Sequence, residues 1–175
     1  MENNKNEVMN VNTETGEIMA GEVIVSETPE YRIVQLEDGT FKKNMKYSQY
    51  YSRQAETEEE KIELYNVFNG QDDDLVTPMK NMIKKEITIA HVFMQPYDSF
   101  DEQTGKLTSG VTTTLQDVDG SYYATSSKTV YYTLKNIFDT FGAPHEDNYK
   151  PVKVKVLGRE QRNGIQIDLQ LIGLA

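Results

Sequence analysis

One helical pattern, enclosed by strand-like patterns on both sides, constrains the fold of this 175-residue chain more than any other feature. Its apolar residues recur at spacings of four, three and four, and they are Val130, Leu134, Ile137 and Phe141, with Phe138 widening the stripe. Gly142 and Pro144 stop the pattern. We therefore predict an amphipathic helix over residues 129–141, with the hydroxyl of Ser126 or Ser127 as its N-cap.

Alternating and β-branched residues on both sides of this helix predict five strands. The predicted strands are EITIAHVFM (86–94), VTTTLQDV (111–118), SYYATS (121–126), PVKVKVLG (151–158) and IQIDLQLIGL (165–174). Asp119-Gly120 is a tight hairpin signal between the second and third strands. The segments QPYDSFDEQTGKLTSG and GREQRNG are predicted to be loops between the first two and the last two strands.

The order strand, strand, strand, helix, strand, strand matches the five-stranded Greek-key barrel called the OB-fold. Other small barrels share the short antiparallel strands, but a single helix between the third and fourth strands is the more particular feature. We therefore predict a mainly β fold class, with an OB-fold-like barrel in residues 75–175.

The first 74 residues are predicted to form an arm and an appendage. Residues 1–20 are polar without a periodic apolar face, which is typical of a flexible arm. Residues 21–74 contain the strand patterns EVIVSE, YRIVQL and TFKK, and then a helical pattern with Ile62, Tyr65 and Phe68 on one stripe. The acidic loop of residues 70–74 is the predicted domain boundary.

The distribution of charge says more about partners than the net charge of −10 does. Residues 1–74 carry 7 Lys/Arg against 17 Asp/Glu, whereas residues 75–175 carry 11 against 11, so the second part is able to present a basic face. The absence of cysteine excludes disulfides and thiolate sites. No apolar run approaches the ~20 residues of a membrane span, and the first residues lack the apolar stretch of a signal peptide. We expect a soluble cytoplasmic protein without a membrane partner.

The segments DGSYYATSSKTVYYTLKNIFDTFGAP and VKVKVLGREQRNGIQIDLQLI resemble the small single-stranded DNA-binding proteins encoded by phages and plasmids of Gram-positive bacteria. The resemblance covers residues 79–174. It implies an OB-fold protein that coats single-stranded DNA during replication or transfer, without sequence preference, in the cytoplasm of the bacterial host. This chain has no Trp for stacking, and it ends in the apolar LIGLA where an acidic tail recruits repair enzymes in the better-known bacterial proteins.

Binding of single strands without sequence preference requires cations for phosphates and aromatic faces for bases. Lys153 and Lys155 share the non-core face of the fourth predicted strand, and the matching face of the fifth carries Gln166, Asp168 and Gln170. The predicted loops, which OB-folds commonly use for binding, add Arg159, Arg162, Tyr97, Phe100 and Lys106. Lysines that alternate with valines are equally typical of an ordinary solvated strand face.

Tyrosines supply the candidate stacking rings. On a strand, Tyr122 and Tyr123 point to opposite faces, so we expect one ring in the core and the other against a ligand or under a loop. Tyr131 is predicted to be core and Tyr132 partly exposed. A second cluster of rings beside a cation consists of Tyr47, Tyr50, Tyr51 and Arg53, which line a DNA groove, pack the appendage or join subunits.

No pattern predicts a catalytic site, a metal site or a cofactor. Residues 117–120 begin like a calcium loop but have Tyr122 and Lys128 where an EF-hand requires Gly and Glu. His91 and His145 have no partner motif, and the glycines lack phosphate-loop spacing. The leading hypothesis is a non-catalytic protein that binds single-stranded DNA and self-associates through its arm. The alternatives are an OB-like protein-interaction adaptor and an acidic DNA mimic that uses residues 1–74.

Overall fold

The computed structural model describes residues 23–36, 38–69, 75–103, 106–162 and 164–175, without the side chains of Phe100 and Lys106. The predicted arm and the predicted boundary loop of residues 70–74 lie outside the described residues. Most of the regular structure is strand, so the predicted mainly β class is confirmed. No helix in the described part of the chain is long and apolar enough to cross a membrane.

Ten strands and two α-helices make up the regular structure of the described residues. The strands are β1 Val23–Glu27, β2 Tyr31–Gln35, β3 Phe41–Met45, β4 Tyr50–Tyr51, β5 Val76–Pro78, β6 Glu86–Asp101, β7 Lys106–Asp117, β8 Tyr122–Thr125, β9 Val152–Gln161 and β10 Gly164–Leu174. The helices are α1 Glu58–Asn69 and α2 Lys128–Phe141, and a 3₁₀ turn spans Met79–Met82.

From β6 onward the predicted order of three strands, one helix and two strands is confirmed. The long loop predicted between the first two strands is wrong, because β6 continues to Asp101 and β7 begins at Lys106. Most side chains of this stretch are polar, so no apolar alternation marks it as strand. Strands β6 and β7 are nevertheless hydrogen-bonded neighbours in the sheet.

Helix α2 confirms the apolar stripe, with Val130, Leu134 and Ile137 buried. Its predicted cap has the right position and the wrong role: Ser127 occupies the N-cap, but its hydroxyl donates to the carbonyl oxygen of Ile167 at 2.6 Å instead of accepting from the helix. Gly142, at φ 91°, ends the helix in a conformation that favours glycine, and its N–H bonds back to the helix.

Helix α1 buries a different stripe from the predicted one. Ile62 and Tyr65 are exposed, whereas Leu64 and Val67 are buried and Phe68 packs against the same cluster. The sequence IELYNVF contains two apolar stripes at helical spacing, and contacts with distant strands select one of them.

The strands form two sheets. One is three-stranded, in the order β1-β2-β3. The other has the order β10-β9-β6-β7-β8-β5, and β4 pairs with β6 beside this path. Strand β9 runs antiparallel to both β10 and β6, and β7 runs antiparallel to β8, whereas β5 lies parallel to β8.

The chain divides into two compact units, and β6 and β7 contribute residues to both. The first unit contains residues 23–47 and 96–110 of the described chain, and its interior includes Val34. The second contains residues 48–95 and 111–175. The second core is built from fully buried side chains that include Ile87, Ile89, Phe93, Val111, Leu115, Leu134, Val152 and Val154.

Candidate nucleic-acid interface

A row of cations lies on the outer face of β9. Val152, Val154 and Val156 are fully buried, so the alternation of the strand places Lys153 and Lys155 on the opposite face. Arg159 continues this row and is 68% exposed. The predicted division of β9 into a core face and a cationic face is therefore confirmed.

The adjacent strand β10 presents polar side chains to the same face. Lys155 lies opposite Gln170 and Arg159 lies opposite Gln166, as directly paired residues of the antiparallel ladder. Directly paired residues share a face of the sheet, so the predicted companions of the cations are in place. This surface offers ammonium and guanidinium groups for phosphates and the exposed amide of Gln170 for hydrogen bonds, whereas the Gln166 amide is bonded to Gln161 and Thr129.

Two carboxylates moderate the positive charge of this face. The Glu86 carboxylate forms an ion pair with the Lys153 ammonium at 2.6 Å, and Asp168 lies 3.8 Å from the Arg159 guanidinium. The hydrogen bond from Lys153, and then its charge, lower the pKa of the Glu86 carboxyl below its usual range. A phosphate at Lys153 must therefore compete with Glu86. Lys155 lies directly opposite Glu86 in the β6–β9 ladder, and its charge also contributes to the lowered pKa of that carboxyl.

The loop predicted between the last two strands is much shorter than expected. Strand β9 extends to Gln161 and β10 begins at Gly164, so Arg159 lies on a strand and only Arg162 lies in the turn. Both arginines are exposed. Polar residues on both faces hide the strand pattern here, and Gly164, at φ 130°, permits the tight reversal.

A groove beside this turn contains residues that sequence reasoning missed. It has a volume of about 380 Å³ and lies between the start of α2 and the β9–β10 hairpin. Lys128, Gln161 and the exposed Ile165 are among its lining residues. No local pattern indicates this site, because its residues are distant in sequence and are brought together by the packing of α2 on β10.

The tyrosine doublet does not form a stacking surface. Tyr122 is 2% exposed and Tyr123 is 9% exposed, so both rings are buried. Of the two places expected for the second ring, against a ligand or under a loop, burial fits only a ring that the chain itself covers. Tyr122 packs with Leu64, Val67 and Phe93, because α1 covers this face of β8. The sequence of β8 contains no signal that a helix more than fifty residues upstream packs there.

The Tyr122 hydroxyl is the centre of a partly buried hydrogen-bond network. It donates to a Glu63 carboxylate oxygen at 3.0 Å and accepts from Gln116 at 2.9 Å and from Arg53 at 3.3 Å. Burial first, and then the hydrogen bond to Glu63, raise the pKa of Tyr122 to about 12. The network fixes Arg53 within the fold, so its guanidinium is engaged in hydrogen bonds to other residues of the chain.

The remaining residues of the second predicted cluster also serve packing. The Tyr51 ring stacks on Phe68 with centroids 5.3 Å apart, and its hydroxyl accepts from Gln95. The Tyr50 hydroxyl is hydrogen-bonded to Nδ1 of His145 at 2.8 Å, and burial raises the pKa of Tyr50. In the first unit, Tyr47 is 9% exposed. Of the three roles considered for this cluster, the structure supports packing.

The candidates predicted in the first long loop lie on strands of the first unit. Tyr97 belongs to β6, is 44% exposed, and lies so close over Gly110 that a side chain there would collide with its ring. Phe100 and Lys106 belong to β6 and β7, and their side chains lie outside the described part of the chain. Elsewhere, Tyr131 is core and Tyr132 is 41% exposed, as predicted.

Comparison with known proteins assigns the chain to a family. A family model described as phage single-stranded DNA-binding protein matches residues 43–171. A single-stranded DNA-binding protein of Bacillus phage GA-1 is 36% identical over 153 residues, which cover 86% of this chain and 89% of that relative. The chain belongs to the family of phage single-stranded DNA-binding proteins. No solved structure matches it.

The family region and the candidate residues coincide. Every candidate from Tyr47 to Arg162 lies within residues 43–171, whereas β1 and β2 precede the region that the family model matches. Among the candidate cations of β9 and its turn, Arg159 and Arg162 are exposed, and Lys153 and Lys155 are half-buried. Most of the candidate rings, in contrast, are buried or packed against other side chains of the chain.

Proposed function

We propose that this chain coats single-stranded DNA without reading its sequence during phage DNA replication or transfer, in the cytoplasm of the host and without catalysis, a cofactor or a membrane partner. The family membership carries the proposal. The row formed by the half-buried Lys155 and the exposed Arg159 and Arg162 supports it, because cations that contact only phosphates do not discriminate between bases.

We also propose that the family region has an OB-like fold. The order β10-β9-β6-β7-β8 places the first strand of the predicted barrel between its second and fourth strands, with the fifth beside the fourth. This is the neighbour order of an OB-fold that is open between its third and fifth strands. We likewise propose that the chain divides at residue 75 into an acidic appendage and a DNA-binding part.

Binding to single-stranded and duplex DNA of equal length, measured by fluorescence anisotropy across a salt series, tests the function. We expect tighter binding to the single strand, little preference among bases, and affinity that falls steeply with salt as phosphate contacts release counterions. Equal or tighter binding to duplex contradicts the proposal. Failure to bind either form favours the adaptor alternative.

The variant Lys155→Ala tests the contribution of the β9 row by the same anisotropy measurement. We expect weaker binding to every sequence and a log–log salt slope reduced by about 0.7, the value for one phosphate contact on a single strand. Lys61→Ala, on the exposed surface of α1, is the matched control and is expected to change neither quantity. An unchanged slope in Lys155→Ala would remove this residue from the interface.

The arm of residues 1–20 is proposed to support self-association along DNA, since a polar segment of this length is able to reach a neighbouring molecule. Deletion of these residues is expected to leave the melting temperature unchanged and to reduce the cooperativity of binding to a long single strand. Titrations of the two chains on one long oligonucleotide measure this effect. Superimposable isotherms would count against the role of the arm.

A further inference from the structure

Among the candidate rings whose side chains the structure describes, Tyr97, at 44%, is the most exposed. Bases stack on exposed aromatic side chains when single strands bind without sequence preference. Four of the candidate tyrosines in the second unit, Tyr50, Tyr51, Tyr122 and Tyr123, are packed within the fold. Among the described rings, the most exposed is Phe41 in the first unit, at 66%.

Phe41 belongs to a sheet face that carries further large side chains. The register of β2 and β3 pairs Tyr31 with Met45, Ile33 with Lys43 and Gln35 with Phe41, so these six residues share one face. Met45 is 39% exposed and Lys43 is also exposed. We call this surface the Phe41 face.

The opposite face of the same sheet is covered within the first unit. Val34 is fully buried and Asn44 is 8% exposed. The Arg32 guanidinium bonds the carboxylate of Asp98 on β6 at 3.0 Å, so the terminal part of β6 lies against this side. The Phe41 face is therefore the outward face of the sheet.

The charge of the Phe41 face suits an anionic, aromatic ligand. The Lys43 ammonium lies 3.9 Å from the centroid of the Tyr31 ring, in a cation–π contact. The paired positions of β2 and β3 on this face include one cation and no carboxylate. An acidic protein partner would contact a single ammonium here, whereas an unpaired nucleotide would contact the exposed Phe41 ring, the half-buried Tyr31 ring and a cation.

We propose that the Phe41 face is a base-stacking platform for single-stranded DNA, with Phe41 and Tyr31 against bases and Lys43 against a phosphate. Along the strands the two rings are four residues apart, or about 13 Å, so they stack on different bases. Tyr31 and Phe41 precede residues 43–171, which the family model matches, whereas Lys43 lies within them. The inference rests on the proposed function.

Fluorescence anisotropy with fluorescein-labelled oligo(dT) tests the platform. Phe41→Ala is expected to raise Kd about 5- to 150-fold, which corresponds to the ~1–3 kcal/mol of one stacked base, with the salt slope unchanged. Phe41→Tyr retains a ring and is expected to bind as the wild type does. Lys43→Ala is expected to lower the salt slope by about 0.7.

Tyr65→Ala is the matched control, because Tyr65 is a 59% exposed ring on α1, outside the Phe41 face. It is expected to keep the wild-type Kd. If the wild type binds oligo(dT) and Phe41→Ala binds equally well, the platform is wrong and the proposed function stands. If the wild type does not bind, the function and the platform both fail. If Phe41→Ala changes only the sedimentation coefficient, the face joins copies of the chain and the platform is again wrong.

Discussion

Replacement of Tyr122 by alanine is expected to lower the free energy of unfolding by about 3–5 kcal/mol, the usual cost of truncating a buried aromatic side chain. The ring is 2% exposed and packs with Leu64, Val67 and Phe93 between α1 and the sheet. Its removal leaves a cavity and deprives the Glu63 carboxylate of a hydrogen-bond donor. Urea unfolding followed by circular dichroism measures the loss.

Two further variants separate packing from hydrogen bonding. Tyr122→Phe keeps the ring and removes the hydroxyl, so we expect a smaller loss of about 1–3 kcal/mol from the buried groups left unpaired. Tyr65→Ala, at an exposed ring of the neighbouring helix, is expected to change stability by less than about 0.5 kcal/mol. Equal stability of Tyr122→Ala and the wild type would show that α1 does not pack on this ring in solution.

Alkaline pH is expected to destabilise the chain steeply. Burial is the main cause that raises the pKa of Tyr122 and of Tyr149 to about 12, against an ordinary value of 10.0. The folded chain therefore keeps two protons in a pH range in which the unfolded chain has lost them. The free energy of unfolding stays level with respect to these groups below about pH 10 and falls between about pH 10 and 12, by about 1–3 kcal/mol per tyrosine after allowance for solvent screening.

The pH dependence of the double variant Tyr122→Phe/Tyr149→Phe identifies the source of this loss. Both hydroxyls are hydrogen-bonded in the fold, and that of Tyr149 donates to the carbonyl oxygen of Ile89 at 2.9 Å. The double variant is less stable at neutral pH, but its unfolding free energy should decline much less between pH 10 and 12. A decline equal to that of the wild type would assign the alkaline transition to other groups.

Elements with one buried face were predictable from the sequence. In β9 and in α2, residues such as Val154 and Leu134 recur with the period of the element, because a single side of each contributes to the core. The cations of the candidate interface were predictable for the same reason. Lys153 and Lys155 are the alternate residues of a strand whose other face is fully buried.

Features that depend on distant contacts were not predictable. Tyr122 and Tyr123 occupy opposite faces of β8, and both are buried because the strand is covered on both sides. The last part of β6 and the first part of β7 are mostly polar and lack apolar alternation, so only strand pairing identifies them. The platform residue Phe41 was visible only as part of a short strand pattern, because its exposure depends on which face of β3 the rest of the first unit covers.

The short strand β5 affects how readily the sheets of neighbouring copies pair at their edges. It occupies the outer edge of β8 with only three residues, and the last of them, Pro78, has no N–H to offer to another strand. An open edge at β8 would be a template for sheet extension from one molecule to the next. Copies that crowd along one DNA strand, as proposed, meet at high local concentration, and β5 removes one of the edges at which sheets of neighbouring copies could pair.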